Sequence, residues 1–141
     1  MTSGLYKRYK NDENVEKTGV RLELGPNSKG LMMAMQVARA GGTNTSHTKA
    51  AERHLKPYRR QLQSETMERK LLERKMMEIF VDGCLLGWEN IEDENEQPLT
   101  FTRDNAIKLF TDLPDLYDEV VKHAGDATLF RQVVEEADAK N

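Results

Sequence analysis

Three consecutive stretches decide the fold class: Val20-Arg21-Leu22-Glu23-Leu24, then Gly25-Pro26-Asn27-Ser28-Lys29-Gly30, then Leu31-Met32-Met33-Ala34-Met35-Gln36-Val37-Ala38. Apolar and charged residues alternate strictly in the first, which puts Val20, Leu22 and Leu24 on one face of a strand. The second is a turn by composition, because Gly and Pro set the φ values that reverse a chain and Asn and Ser bond to their own backbone. In the third, Leu31, Met33, Met35 and Val37 alternate with Met32, Ala34, Gln36 and Ala38, so residues 19–40 are expected to form a β-hairpin. A helix over residues 31–40 competes, since Met, Ala, Leu and Gln are good helix formers, but the preceding turn favours the strand.

Upstream, residues 1–18 are polar and interrupted by Asn11-Asp12-Glu13-Asn14, which suggests an extended, partly flexible arm with at most one helical turn. Downstream, residues 19–141 read as a single domain whose remaining elements are helical. Gly41-Gly42 breaks the hairpin, and Thr43, Asn44, Thr45 and Ser46 offer helix caps. In the segment 45–63, Ala51, Leu55, Tyr58 and Leu62 recur at helical spacing, while Lys49, Arg53, Lys56 and Arg60 share that spacing on the opposite face. Pro57 lies between them, so the segment is either one kinked helix or two short ones. Residues 65–87 read as a long helix with Met67, Leu71, Leu72, Met76, Ile79, Phe80, Gly83 and Cys84 on its apolar stripe, and with Gly87 as its stop before Trp88. An acidic loop follows over 92–98. Residues 102–138 form an acidic helical region: one helix from a Thr102 cap, a second capped by Asp112 with Pro114 in its first turn, and a last one begun by Asp126 with Leu129, Phe130, Val133, Val134 and Ala137 as its apolar side. The expected class is mainly α with a small N-terminal β-hairpin (α+β), four to five amphipathic helices making a compact bundle.

Length and charge bound the function. A chain of 141 residues fits one domain that buries roughly 65–70% of its unfolded surface. Residues 1–60 hold 12 Lys+Arg against 5 Asp+Glu, whereas residues 91–141 hold 5 against 13. This polarity suits a protein that docks onto a partner or onto itself. One cysteine, Cys84, cannot make an internal disulfide, and a reducing cytoplasm is the expected compartment. The start has no apolar stretch of the signal-peptide kind, and no run approaches the ~20 apolar residues of a membrane span.

Four features of the chain bear on chemistry. His47, His54, His123 and Cys84 lie too far apart in sequence for a local metal site, so the histidines read as surface or interfacial. The run Asp93-Glu94-Asn95-Glu96-Gln97-Pro98 has oxygen ligands at alternate positions, but Pro98 stands where a calcium loop needs Gly. Cys84 sits within an apolar stripe with no base in a local motif, and Gly41-Gly42 lacks the Lys-Ser/Thr of a phosphate loop. No catalytic residue, metal ligand or cofactor is expected, and the chain reads as a binding or assembly module, not an enzyme. Partner contact is assigned to Met32, Met33 and Met35, as an adaptable Met-rich patch, against the more ordinary reading that most of the methionines fill the core, and to Arg53, Lys56, Tyr58, Arg59 and Arg60 on the basic helix. That helix could also meet phosphates, although the acidic half of the chain opposes nucleic acid.

Several segments together resemble a known family: Leu5-Tyr6-Lys7-Arg8-Tyr9-Lys10 with Asp12-Glu13-Asn14-Val15-Glu16-Lys17-Thr18-Gly19-Val20, Val37-Ala38-Arg39-Ala40-Gly41-Gly42-Thr43-Asn44, Lys56-Pro57-Tyr58-Arg59-Arg60-Gln61 and Gly87-Trp88-Glu89-Asn90-Ile91. The stretch from Gln97-Pro98-Leu99-Thr100-Phe101 to Asp112-Leu113-Pro114-Asp115-Leu116 completes it. The pattern is similar to that of tail assembly chaperones of tailed bacteriophages. The resemblance implies a protein of the infected bacterial cytoplasm that binds the long helical tape measure protein, with the major tail protein as a second candidate client and self-association as a further option. It also implies absence from the finished virion and, in some members, a longer frameshifted form. The rival readings are a structural virion or tail accessory protein and a small nucleic-acid-binding regulator.

Overall fold

The computed structural model describes residues 4–139, so residues 1–3 of the expected arm and residues 140–141 of the expected domain lie outside the described residues. The expected α+β class holds: helices dominate, around a three-stranded antiparallel sheet of order β1-β2-β3. Strands β1 (Val20–Pro26) and β2 (Met32–Val37) form the hairpin read from sequence, with Val20 opposite Val37 and Leu22 opposite Met35. Their inward residues are buried in the core, whereas Met32 faces solvent. Ala34, between Glu23 of β1 and Glu89 of the neighbouring strand, is also fully buried.

The third strand was not expected. Residues 65–87 do not make one helix: the helix of this region spans Arg69–Gly83, and β3 (Leu85–Glu89) follows it at once. At the near end, Glu65 takes a left-handed φ of 56° and the Thr66 amide donates to the Gln61 carbonyl, which closes the preceding helix. At the far end, pairing with the free edge of β2 sets Leu85 opposite Val37 and Trp88 opposite Met35. A run of buried apolar residues serves helix and strand alike, and here sheet pairing won over helical period. Gly87 is therefore a strand residue, not a helix stop. Trp88 does cover the core: its indole N–H donates to the Leu99 carbonyl at 2.8 Å and its ring meets Phe101 edge-on at 5.0 Å.

The N-terminal arm also departs from expectation, since it holds two short helices, α1 (Leu5–Tyr9) and α2 (Glu13–Thr18). Asp12 caps α2 by accepting from the Val15 amide. Glu16 of α2 is buried and accepts from the Thr43 amide and hydroxyl, both at 2.7 Å, and from Arg39 at 2.5 Å. Burial pushes its carboxyl up, but the bonds from Thr43 and Arg39 outweigh it and leave the group below its ordinary value. Gly42, at a φ of 54°, is required beside it, because a Cβ there would lie 2.5 Å from a Glu16 oxygen. The charge pair thus straps the arm to the loop behind β2.

The segment 45–63 resolves into two short helices, α3 (Thr45–Leu55) and α4 (Arg59–Gln63), with Pro57 in the 3₁₀ turn Lys56–Tyr58 between them. The helix Arg69–Gly83 is α5. Beyond β3 come α6 (Arg103–Asp112), α7 (Pro114–Ala124) and α8 (Ala127–Ala139). Thr102 caps α6 as expected, but Asp112 does not cap α7; it ends α6 and pairs with Lys108 at 2.6 Å. Side chains from Ala137 onward lie outside the described residues. The core is built from the inner face of the sheet, the inner face of α5 (Phe80, Val81, Cys84) and α6 to α8, with Phe110 and Phe130 as its largest buried side chains.

Candidate partner-binding surface

Helix α5 has two packing faces. One enters the core; the other is covered by α3, with Tyr58 of the turn Lys56–Tyr58 against Lys75, and the apolar side chains of α3 and α4 are not part of that core. The crossing is close. A Cβ on Gly83 would fall 2.7 Å from the Cα of His47, so only glycine lets the two backbones meet there. Asn44 fixes the corner: it caps α3 by accepting from the Ser46 amide and donates to the carbonyls of Arg39 and Gly83, both at 2.9 Å.

A carboxylate cluster on α5 clamps the pair along its length. Asp82 receives His54 Nε2 at 2.6 Å, Arg53 at 3.3 Å and Arg103 of α6 at 2.7 Å, and Glu78 lies 3.6 Å from the other His54 nitrogen. Burial raises both carboxyls, and the opposing bonds are stronger: Arg103 and His54 hold Asp82 below its usual value, and Lys75 and Arg74 do so for Glu78. His54, read from sequence as surface or interfacial, is thus a clasp between helices.

Away from this clamp the seam is shallow. Ala51, Leu55, Tyr58 and Leu62 on one side and Leu71 and Leu72 on the other remain half-buried, and Met76 is 44% exposed. The outer side carries Lys49, Lys56, Arg59 and Arg60, all exposed and without an ion-pair partner among the described residues. Tyr58 lies under Lys75, whose ammonium is 5.9 Å from its ring centroid.

The structure divides the expected partner-binding residues. Arg53, Lys56, Tyr58, Arg59 and Arg60 share the α3–α4 ridge, although Arg53 is engaged by Asp82. The methionine patch does not exist as a surface: Met32 is exposed, Met33 is half-buried against the core and Met35 is fully buried, because alternation along β2 sends neighbouring residues to opposite faces. Met76, expected on the apolar stripe of its helix, is an exposed large apolar side chain. Cys84 is buried and its thiol is pushed up to about 12 by desolvation. Among the described residues no cluster of three or more His, Cys, Asp or Glu could hold a metal ion, and no helix is long and apolar enough to cross a membrane.

Comparison with curated proteins and with solved structures gives no match. Residues 42–141 match the model of a family described as YdaY prophage protein. The matched part starts after β2, so the first two strands of the sheet lie outside it.

Proposed function

Because the chain belongs to the YdaY prophage protein family, and so is a phage-related protein, we propose that it is a tail assembly chaperone that keeps the tape measure protein soluble while the tail tube is built. The observation that carries this reading is the α3–α4–α5 seam, a half-buried apolar line bordered by Lys56, Arg59 and Arg60, which have no ion-pair partner among the described residues. A long helical client exposes apolar stripes that aggregate unless covered, and an amphipathic helix with an acidic flank fits a seam with this chemistry. The major tail protein is the second client under this proposal. The protein acts in the host cytoplasm and is released before the virion is complete.

Co-expression with the tape measure protein of the same prophage tests the reading. The expected result is a larger soluble fraction of the client and a complex that co-purifies. Equal insolubility with no complex would end the proposal, and stoichiometric copies of this chain in purified particles would point to a structural tail component.

A further inference from the structure

A groove of about 590 Å³ lies between the β1–β2 hairpin, the loop after β3 and helices α6 and α7. Its floor is apolar, with Leu24, Met33, Leu109 and Leu116 each half-buried. Its rim carries Glu23, Asp93, Glu96 and Glu119, none of which has an ion-pair partner among the described residues. Lys29 pairs with Glu92 at one edge of the groove and donates to the Glu96 carbonyl, and Lys108 pairs with Asp112, which leaves the side chains of Glu23, Asp93, Glu96 and Glu119 without a cation. An occupant must bring both apolar surface and positive charge.

One segment of the chain offers both and uses neither. In α1, Leu5 is 72% and Tyr6 is 88% exposed, and Lys7, Arg8 and Lys10 make no ion pair among the described residues. The backbone of this segment is nevertheless held: Arg131 of α8 donates to the Tyr9 carbonyl at 3.1 Å and to Asn11 Oδ1 at 3.0 Å, and its guanidinium lies 5.9 Å from the Tyr9 ring centroid. The α3–α4 ridge is a poorer occupant, since Ala51, Leu55, Tyr58 and Leu62 are half-buried and it offers no apolar side chain as exposed as Leu5 or Tyr6. We propose that α1 of one copy docks into the groove of a second, Leu5 and Tyr6 on the floor and Lys7 and Arg8 against the carboxylate rim. Donor and acceptor surfaces differ, so the association is head-to-tail and either closes into a ring or extends.

The test needs only the full chain, so its failure leaves the client-binding reading untouched. Sedimentation velocity at rising concentration should show association that weakens with salt. Lys7→Glu with Arg8→Glu should weaken it roughly tenfold or more, and so should Glu96→Lys with Glu119→Lys, while mixing the two variants restores the association. Far-UV circular dichroism checks that each variant is folded, and a second arm avoids charge reversal altogether. Copies carrying Tyr6→Cys mixed with copies carrying Glu96→Cys should oxidise to a mixed disulfide dimer, with buried Cys84 as a bystander. A monomer at every concentration would overturn the proposal. So would association that survives both reversals, or that is lost on Arg59→Glu with Arg60→Glu instead, or a Cys mixture that gives no mixed dimer.

Discussion

The two faces of α5 are built differently. On the inner face Phe80 packs edge-on against the fully buried Phe110 at 6.2 Å and the half-buried Tyr117 at 5.9 Å. On the outer face the seam with α3 and α4 leaves leucines and Met76 partly in water, and polar contacts at His54, Glu78 and Asp82 hold what apolar packing does not. Apolar burial stabilises in proportion to the area removed from water, so the inner face supplies the stability of the fold. The outer face keeps unspent apolar surface that a partner can still cover, which is where a binding function can reside without cost to the core.

The sharpest test of this contrast compares truncations. Phe110→Ala should cost about 3–5 kcal/mol in a urea titration, while Leu62→Ala should cost about 1 kcal/mol because its side chain is only half removed from water. Equal losses would dissolve the distinction. Next in size is Gly83→Ala, which should cost about 1–3 kcal/mol by forcing α3 off α5. Its signature should be faster amide exchange in α3 with little change in α6 to α8.

Acid is a gentler way to part the two regions. Asp82, bonded to Arg103 of α6 and His54 of α3, has a folded value below its unfolded one, so its contribution is complete above the ordinary carboxylate range and is lost as pH falls through the depressed value. As pH drops through that window, exchange protection of α3 should fall before that of the core helices; simultaneous loss would mean that the clamp does not act locally. Smallest in stability is Arg59→Glu with Arg60→Glu, expected to change the unfolding free energy in a urea titration by no more than about 0.5 kcal/mol since both side chains are exposed. The same pair should nevertheless reduce client retention in a pull-down, which separates folding from binding.

Local patterns carried much of the fold. The hairpin was legible because alternation and a Gly-Pro-Asn turn agree, and α6 because Thr102 precedes a clean apolar period. The third strand was not, since Leu85 to Trp88 continue an apolar run and the free edge of β2 that recruits them is known only in three dimensions. The arm was misread because Glu16 and Arg39 are 23 residues apart, and sequence shows two ordinary surface charges where the fold makes a buried pair. The site was legible in its cations, as Lys56, Arg59 and Arg60 are indeed exposed together. It was not legible in its methionines, for once β2 is a strand the three cannot share a face. His54 and Met76 gave no sequence signal beyond residue type, because the role of each depends on where α3 crosses α5.

Hydrogen exchange on the chain bound to its tape measure client is the most direct measurement of where binding occurs. Slowed exchange should appear over residues 45–78, on α3, α4 and the outer half of α5, with the core helices unchanged. Protection confined to other elements, with 45–78 exchanging as in the free chain, would contradict the assignment of this seam as the client surface.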